Sequence, residues 1–232
     1  FYPTQVLSTA RDIINLWVAR MVFSGMEFMG KAPFSDVIIH ATILTKDGKR
    51  MSKSLGTGID PMTLIEKYGA DATRFGLIWQ SMGGQDVHWA EEHVMAGKKF
   101  SNKLWNISRF VLTKVDDSHS ELNEESLSKI TDEESRKILE KLEQTKKSVS
   151  KDIDEYNFGQ ALHTLYDFIW HDFADVYLEY TKDKNSEEVN NTLYFTFYII
   201  LKTLHPFMPF VTEEIYQNLP KKDTEFLMIN KW

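Results

Sequence analysis

Apolar residues recur at helical spacing along most of this chain. Between residues 11 and 29, Ile13, Ile14, Trp17, Val18, Met21 and Val22 follow a helical period. Gly30 and Pro33 predict the end of that helix. Val37-Ile38-Ile39 is a short continuous apolar run, the pattern of a buried parallel strand. A helix that returns to such a strand predicts a doubly wound nucleotide fold, whose ligands sit at the carboxyl ends of strands. Glycine and charged residues over 46–58 then predict a loop. Asp60 before Pro61 reads as an N-cap followed by a first-turn proline. Gly69 ends that helix, a second covers 70–79, and Met82-Gly83-Gly84 breaks it. From about Ala90 to Lys114 a long helix carries Phe100, Leu104, Ile107, Phe110 and Val111 on one face. Trp105 of the same helix is read as a core residue.

An acidic, serine-rich stretch at 116–130 reads as a loop or linker. Thr131 with Glu134 predicts a capping box for the next helix. Phe158, Leu162, Leu165, Ile169, Phe173 and Val176 line a further helix. Leu193, Phe197, Ile200, Leu201 and Leu204 line another, which Pro206 ends. A last helix near 209–218 precedes Phe226–Ile229, a candidate strand. The fold class predicted is mostly α: the remnant of a doubly wound α/β nucleotide-binding fold followed by an α-helical bundle. Three segments are expected, 1–58, 59–115 and 116–232.

Composition narrows the chemistry. The 232 residues include no cysteine, which excludes disulfides and thiolate metal sites and fits a reducing cytosol. No metal site is expected. The longest apolar stretch, around Tyr194–Leu201, is far short of the ~20 residues that a membrane span needs, so no membrane partner is expected. The net charge of −7 argues naively against nucleic acid, but the charge is uneven. Residues 1–115 carry a balance of +4, residues 116–155 of −6 and residues 156–232 of −5. Binding to RNA depends on local positive surface rather than on the total.

The basic excess sits with Lys49-Arg50-Met51-Ser52-Lys53-Ser54, set between Gly48 and Gly56. Three cations and two hydroxyls on a glycine-flanked loop can close on a polyphosphate. By charge alone the run is equally a solvated basic turn. Residue order decides between the two. Arg50-Met51-Ser52-Lys53-Ser54 resembles the lysine-methionine-serine-lysine-serine signature of class I aminoacyl-tRNA synthetases, with Arg in the first place. Asp60-Pro61 and Leu64-Ile65-Glu66-Lys67-Tyr68-Gly69-Ala70-Asp71-Ala72-Thr73-Arg74-Phe75 resemble the segment after that signature in the valyl, isoleucyl and leucyl subgroup. Asn102-Lys103-Leu104-Trp105-Asn106 and His205-Pro206-Phe207-Met208-Pro209-Phe210 are similar to the same subgroup. Arg11-Asp12-Ile13-Ile14 and Trp17-Val18-Ala19-Arg20-Met21 look like its valyl branch.

The resemblance implies an enzyme that activates valine with ATP, Mg2+ being the counter-ion, and transfers it to tRNA in the cytoplasm. The alternatives are an isoleucyl or leucyl counterpart, or a non-catalytic tRNA-binding module. It implies that Lys53 reaches the ATP phosphates, with Arg50, Ser52 and Ser54 as further catalytic groups and Met51 packing the loop down. Thr9, Ala10 and His40 would lie by the adenosine, Asp12 at the ribose, and Trp17 against the amino acid. Asn102, Lys103, Arg109 and Lys114 would meet tRNA phosphates. Residues 1–58 would be the second half of the catalytic domain, 59–115 stem-contact helices, and 116–232 the anticodon-binding domain. None of the seven histidines fits the other signature of the class, histidine-x-glycine-histidine, and the chain opens at Phe1. A carboxyl-side portion of a synthetase, inactive alone, is therefore expected. A monomer is favoured.

Overall fold

The computed structural model describes residues 1–52, 54–114 and 130–231. Lys53 and most of the acidic stretch, 116–129, lie outside the described residues. The chain forms two compact units. One is Phe1–Ile59 with Gln80–Ala90; the other is Asp60–Trp79 with the residues from Glu91 onward. No helix among the described residues is long and apolar enough to cross a membrane.

The first unit is built on two parallel strands, β1 (Thr4–Ala10) and β2 (Phe34–His40), paired from Thr4 opposite Phe34 to Ala10 opposite His40. The connection begins with a tight turn at Arg11–Ile13 and a wide π turn at Ile14–Val18, then runs through α1 (Ala19–Met29). Gly30, at φ 63°, ends α1 in the left-handed conformation that favours glycine. A second parallel pair joins β3 (Ile43–Leu44) to β4 (Val87–His88). Three expectations need correction. The apolar pattern does not reveal β1. The strand around Val37-Ile38-Ile39 is parallel but not buried, since Val37 and Ile39 are 40% and 42% exposed. Of the apolar residues over 13–22, only Val18 is buried.

The second unit holds the hydrophobic core. Its first helix, α2 (Pro61–Tyr68), starts where Asp60 accepts the Met62 N–H at 2.9 Å and Pro61 supplies a preset first turn. Next come α3 (Ala70–Gln80) and α4 (Glu92–Lys114), which touch backbone to backbone. A Cβ on Gly76 would lie 2.7 Å from the Val94 nitrogen, and one on Gly97 2.9 Å from the Ala72 carbonyl oxygen. The remaining helices are α5 (Glu133–Asp154), α6 (Phe158–Asp167), α7 (Glu187–Leu204) and α8 (Pro209–Gln217). The helices of residues 59–115 bury Phe75, Phe100, Leu104 and Val111 in the same core as Leu162, Phe173, Phe197 and Leu201.

Two long-range ties fix α3 to the end of the bundle. The Asp71 carboxylate, only 7% exposed, accepts the N–H groups of Phe210 at 3.2 Å and Val211 at 2.6 Å in the first turn of α8. It thereby caps a helix 139 residues away in sequence, where the helix dipole favours negative charge. Arg74 donates to the carbonyls of Phe207 at 3.1 Å and Pro206 at 2.7 Å. Burial raises the Asp71 carboxyl above its usual pKa; the two backbone donors pull the other way.

Elsewhere local detail departs from the sequence reading. The cap of α5 is Asp132, which accepts the Ser135 N–H at 2.8 Å, and not Thr131. Thr131 turns away because its hydroxyl and N–H both reach the Glu188 carboxylate. The helix α6 continues without a break through a π-wound segment, Phe168–Leu178, and a final turn, Glu179–Thr181. The wider winding moves the buried face onto Ile169, Phe173 and Tyr177, and leaves Val176 57% exposed. Phe226–Ile229 is not a strand: Leu227–Ile229 form a 3-10 turn, anchored where the Leu227 N–H donates to the Glu213 carboxylate at 3.0 Å.

This packing leads to two expected outcomes. Gly97→Ala forces a methyl into the Ala72 carbonyl and Phe75 ring, so it is expected to destabilise the protein by about 1–3 kcal/mol in urea unfolding. His205 donates to or accepts from the Thr212 hydroxyl through Nδ1 at 2.8 Å, while its buried Nε2 has no partner among the described residues. Burial lowers its pKa, against the smaller opposing charges of Glu213 and Asp71. The folded protein thus binds this proton less readily than the unfolded chain. The contribution to stability is full above the ordinary histidine pKa of 6.5 and is lost as pH falls from there through the lowered value. Urea midpoints measured between pH 7.5 and 5 should show that loss, and His205→Gln should flatten it.

Candidate nucleotide and nucleic-acid sites

In the first unit the carboxyl ends of β1 and β2 bring several expected site residues together. Thr9 and Ala10 are the last residues of β1, and Ala10 stands opposite His40, the last of β2. Thr9 is buried. The tight turn after β1 then places Asp12, whose carboxylate accepts from Arg50 Nη2 at 2.7 Å. The Arg50 guanidinium holds the Asp12 carboxyl below the usual carboxylate pKa, mainly through that hydrogen bond. Both side chains are largely exposed, so the pair orients groups more than it stabilises the fold. The His40 ring is turned to its neighbour, with Nδ1 3.1 Å from the Ala41 carbonyl oxygen.

The loop carrying Arg50 has a defined backbone on either side of position 53. A turn at Thr45–Lys49, closed by Lys49 C=O accepting the Thr45 N–H at 2.8 Å, leads to a bridge between Leu44 and Arg50. The Ser52 N–H then donates to the Thr57 hydroxyl at 2.9 Å, and the Thr57 N–H returns to the Ser52 carbonyl at 3.1 Å. The Ser52 and Ser54 hydroxyls are 2.8 Å apart. Gly56, at φ 64°, makes the bend that lets residue 57 return to residue 52. Met51 is half-buried. Lys53, the expected phosphate ligand, lies outside the described residues.

Trp17 sits in the wide turn before α1 and is 58% exposed, with the Arg20 guanidinium 5.0 Å from its ring centre. It is a wall to open space. Two polar ties escape a reading of the sequence. Thr57 closes the loop, and Asp86 braces the strand ends by accepting the Thr42 N–H at 3.1 Å while Arg11 lies 3.6 Å away. A hydroxyl three residues past the loop and a lone carboxylate after Gly83-Gly84 are the available signals. Among the described residues no group of three His, Cys, Asp or Glu stands close enough to hold a metal ion.

In the second unit the four expected nucleic-acid residues divide into two kinds. Lys103 is engaged: its ammonium is 2.7 Å from Asp175 and 4.0 Å from the Trp170 ring centre. Lys114 donates to the carbonyls of Lys182 and Lys184 at 3.2 and 2.9 Å. Asn102 and Arg109 are exposed. A groove of about 500 Å³ between α4 and the π segment is lined by Lys99, Asn102, Lys103, Asn106, Asp175 and Lys182, among others. Trp105 is not a core residue; it is 41% exposed.

Comparison with known proteins gives a consistent result. The family described as tRNA synthetases class I (I, L, M and V) matches residues 1–90, and the anticodon-binding domain of tRNA ligase matches residues 135–232. Valine--tRNA ligases are 44% identical in Bacillus cereus, 43% in Listeria monocytogenes and 42% in Geobacillus kaustophilus, each over 100% of this chain. The chain spans 27% of the length of those relatives. In fold it is similar to agnB2 LeuRS of Agrobacterium radiobacter K84, solved as a ternary complex with tRNA and LeuAMS. The TM-score is 0.76 at 19% identity, over 95% of this chain and 28% of that one. It is also similar to apo methionyl-tRNA synthetase of Mycobacterium tuberculosis, with a TM-score of 0.68 at 17% identity, over 92% and 43%. Matches that agree on one family and run the length of the sequence decide its membership: the chain belongs to the class I tRNA synthetases of the I, L, M and V group.

Proposed function

We propose that this chain serves valine–tRNA ligation, in which ATP activates valine as valyl-adenylate and the valyl group passes to tRNA. The observation that carries the reading is 44% identity with valine--tRNA ligases along the whole chain. In this reaction the valine carboxylate attacks the α-phosphorus of ATP and pyrophosphate leaves. Negative charge builds on the leaving oxygens, so placed cations matter more than covalent catalysis.

Lys53 is the cation assigned to the phosphates, with Arg50 beside it and the Ser52 and Ser54 hydroxyls as further donors. Met51 packs the loop. Thr9, Ala10 and His40 border the adenosine, and ligands of such folds bind at strand ends of this kind. Asp12, kept ionised, accepts from the ribose hydroxyls. Trp17 offers a rigid apolar wall for the valine side chain. ATP enters with Mg2+ as its counter-ion. The partner RNA is tRNA, with Asn102, Lys103, Arg109 and Lys114 as phosphate contacts that position it without reading sequence. Asn102 and Arg109 are the stronger candidates, because Lys103 and Lys114 are already bound within the chain. The helices of 59–115 are assigned to the tRNA stem and the later helices to its anticodon. The reaction takes place in the cytoplasm.

The complete protein is expected to exchange labelled pyrophosphate into ATP when valine is added; exchange with isoleucine or leucine alone would overturn the choice of amino acid. In that protein Lys53→Ala should slow single-turnover adenylate formation by at least about 10²-fold while sparing tRNA binding. An unaltered rate would remove Lys53 from the mechanism. Arg50→Gln should let the Asp12 carboxyl rise toward its ordinary value of 3.8 in a carbon-13 NMR titration. A wild-type titration at the ordinary value would dissolve the pair.

A further inference from the structure

Helix α4 is the most lopsided element of the molecule in charge. After Glu92 it carries Lys98, Lys99, Lys103, Arg109 and Lys114 and not one carboxylate, in a chain whose net charge is −7. Its buried side is formed by Gly97, Phe100, Leu104, Ile107 and Val111. On the opposite side Met95, Lys98, Asn102, Trp105 and Arg109 succeed one another at alternating steps of three and four. They therefore form one stripe, and all five are exposed.

Trp105 occupies the middle of that stripe. It is absent from the residues packed against the core, and no other ring among the described residues stacks on it. Its neighbours one turn away, about 5.4 Å along the axis, are Asn102 on one side and Arg109 on the other. The side chains of Lys98, Asn102 and Arg109 make no ion pair or hydrogen bond among the described residues. A bare indole flanked by free cations and a free amide suits a ligand with a π face and a negatively charged backbone. A protein partner would have to bring acidic groups to the same spacing. A double helix would leave the ring without a base to meet, because its bases are already stacked.

We propose that Trp105 is a stacking platform for an unpaired base of RNA, with Lys98 and Arg109 on the flanking phosphates and the Asn102 amide at the base edge or ribose. The ligand class is single-stranded or loop RNA. The assignment rests on the reading of tRNA as partner and adds to it the atom-level contact on α4. Stacking of this sort tolerates any base, so the platform supplies affinity and leaves sequence choice to other contacts.

The test is a filter-binding titration of the 232-residue chain with tRNA at several salt concentrations. Trp105→Ala is expected to weaken binding roughly tenfold or more at each salt concentration and to leave the slope of log affinity against log salt unchanged. Trp105→Phe keeps a stacking face and should retain most of the affinity. Arg109→Gln should do the reverse of Trp105→Ala, lowering the slope by about 0.7–0.9. Because residue 105 is exposed, the urea midpoint of each variant should match the wild type, which separates a lost contact from a lost fold. Equal binding by Trp105→Ala and wild type, or a changed slope in Trp105→Ala, would overturn the platform alone. A wild-type chain that binds no tRNA would overturn both the platform and the partner.

Discussion

The close contact of α3 with α4 is the constraint on which the second unit depends. Gly76 and Gly97 let the two backbones approach to a distance at which no side chain fits. That approach seats Phe75 5.5 Å from Phe100 and 5.1 Å from Trp79, and Trp79 stacks in turn on His163 at 3.6 Å. The same short helix then reaches across to the last part of the chain through Asp71 and Arg74. One element therefore closes the core, caps α8 and fixes the junction at Pro206–Phe207. With α4 pinned on its inner side, its outer side is free to be basic without any cost in packing.

The first unit is organised by polar ties rather than by a core. Arg50 on Asp12, Ser52 on Thr57, and Asp86 on Thr42 each join a loop to a strand end. Parallel strands are ordinarily covered on both faces, yet β1 and β2 leave Val6, Val37 and Ile39 in contact with solvent. Few buried apolar contacts and exposed hydrogen bonds put this unit at the low end of local stability. Chemistry that needs a loop to adjust around a triphosphate is well served by such a setting.

Much of the helical part is legible in the sequence because its signals are local. Asp60-Pro61, Gly69, the apolar face of α4 and the stripe Leu193–Leu204 each lie within a few turns of the structure they specify. β1 is illegible because its pairing with β2 is long-range and its residues Thr4–Ala10 carry no turn markers. Asp71 gives no sign of its role, since its partners lie 139 and 140 residues away. Trp105 misleads because a tryptophan amid apolar residues fits a core, and only the phase of α4 in the folded unit shows that it faces outward. At the nucleotide site the order of residues in the signature loop is informative, whereas the engagement of Arg50 with Asp12 needs the fold.

The π-wound stretch Phe168–Leu178 carries a consequence for how this bundle tolerates change in length. A segment with more residues per turn than an α-helix behaves as a helix that has absorbed insertions without looping them out. Removing one residue there would tighten the winding and rotate everything before it by about 100° relative to everything after it. Leu162 and Leu165 would then no longer share a face with Phe173 and Tyr177. The bundle's fit is thus tied to the number of residues in this segment as strictly as to their identity.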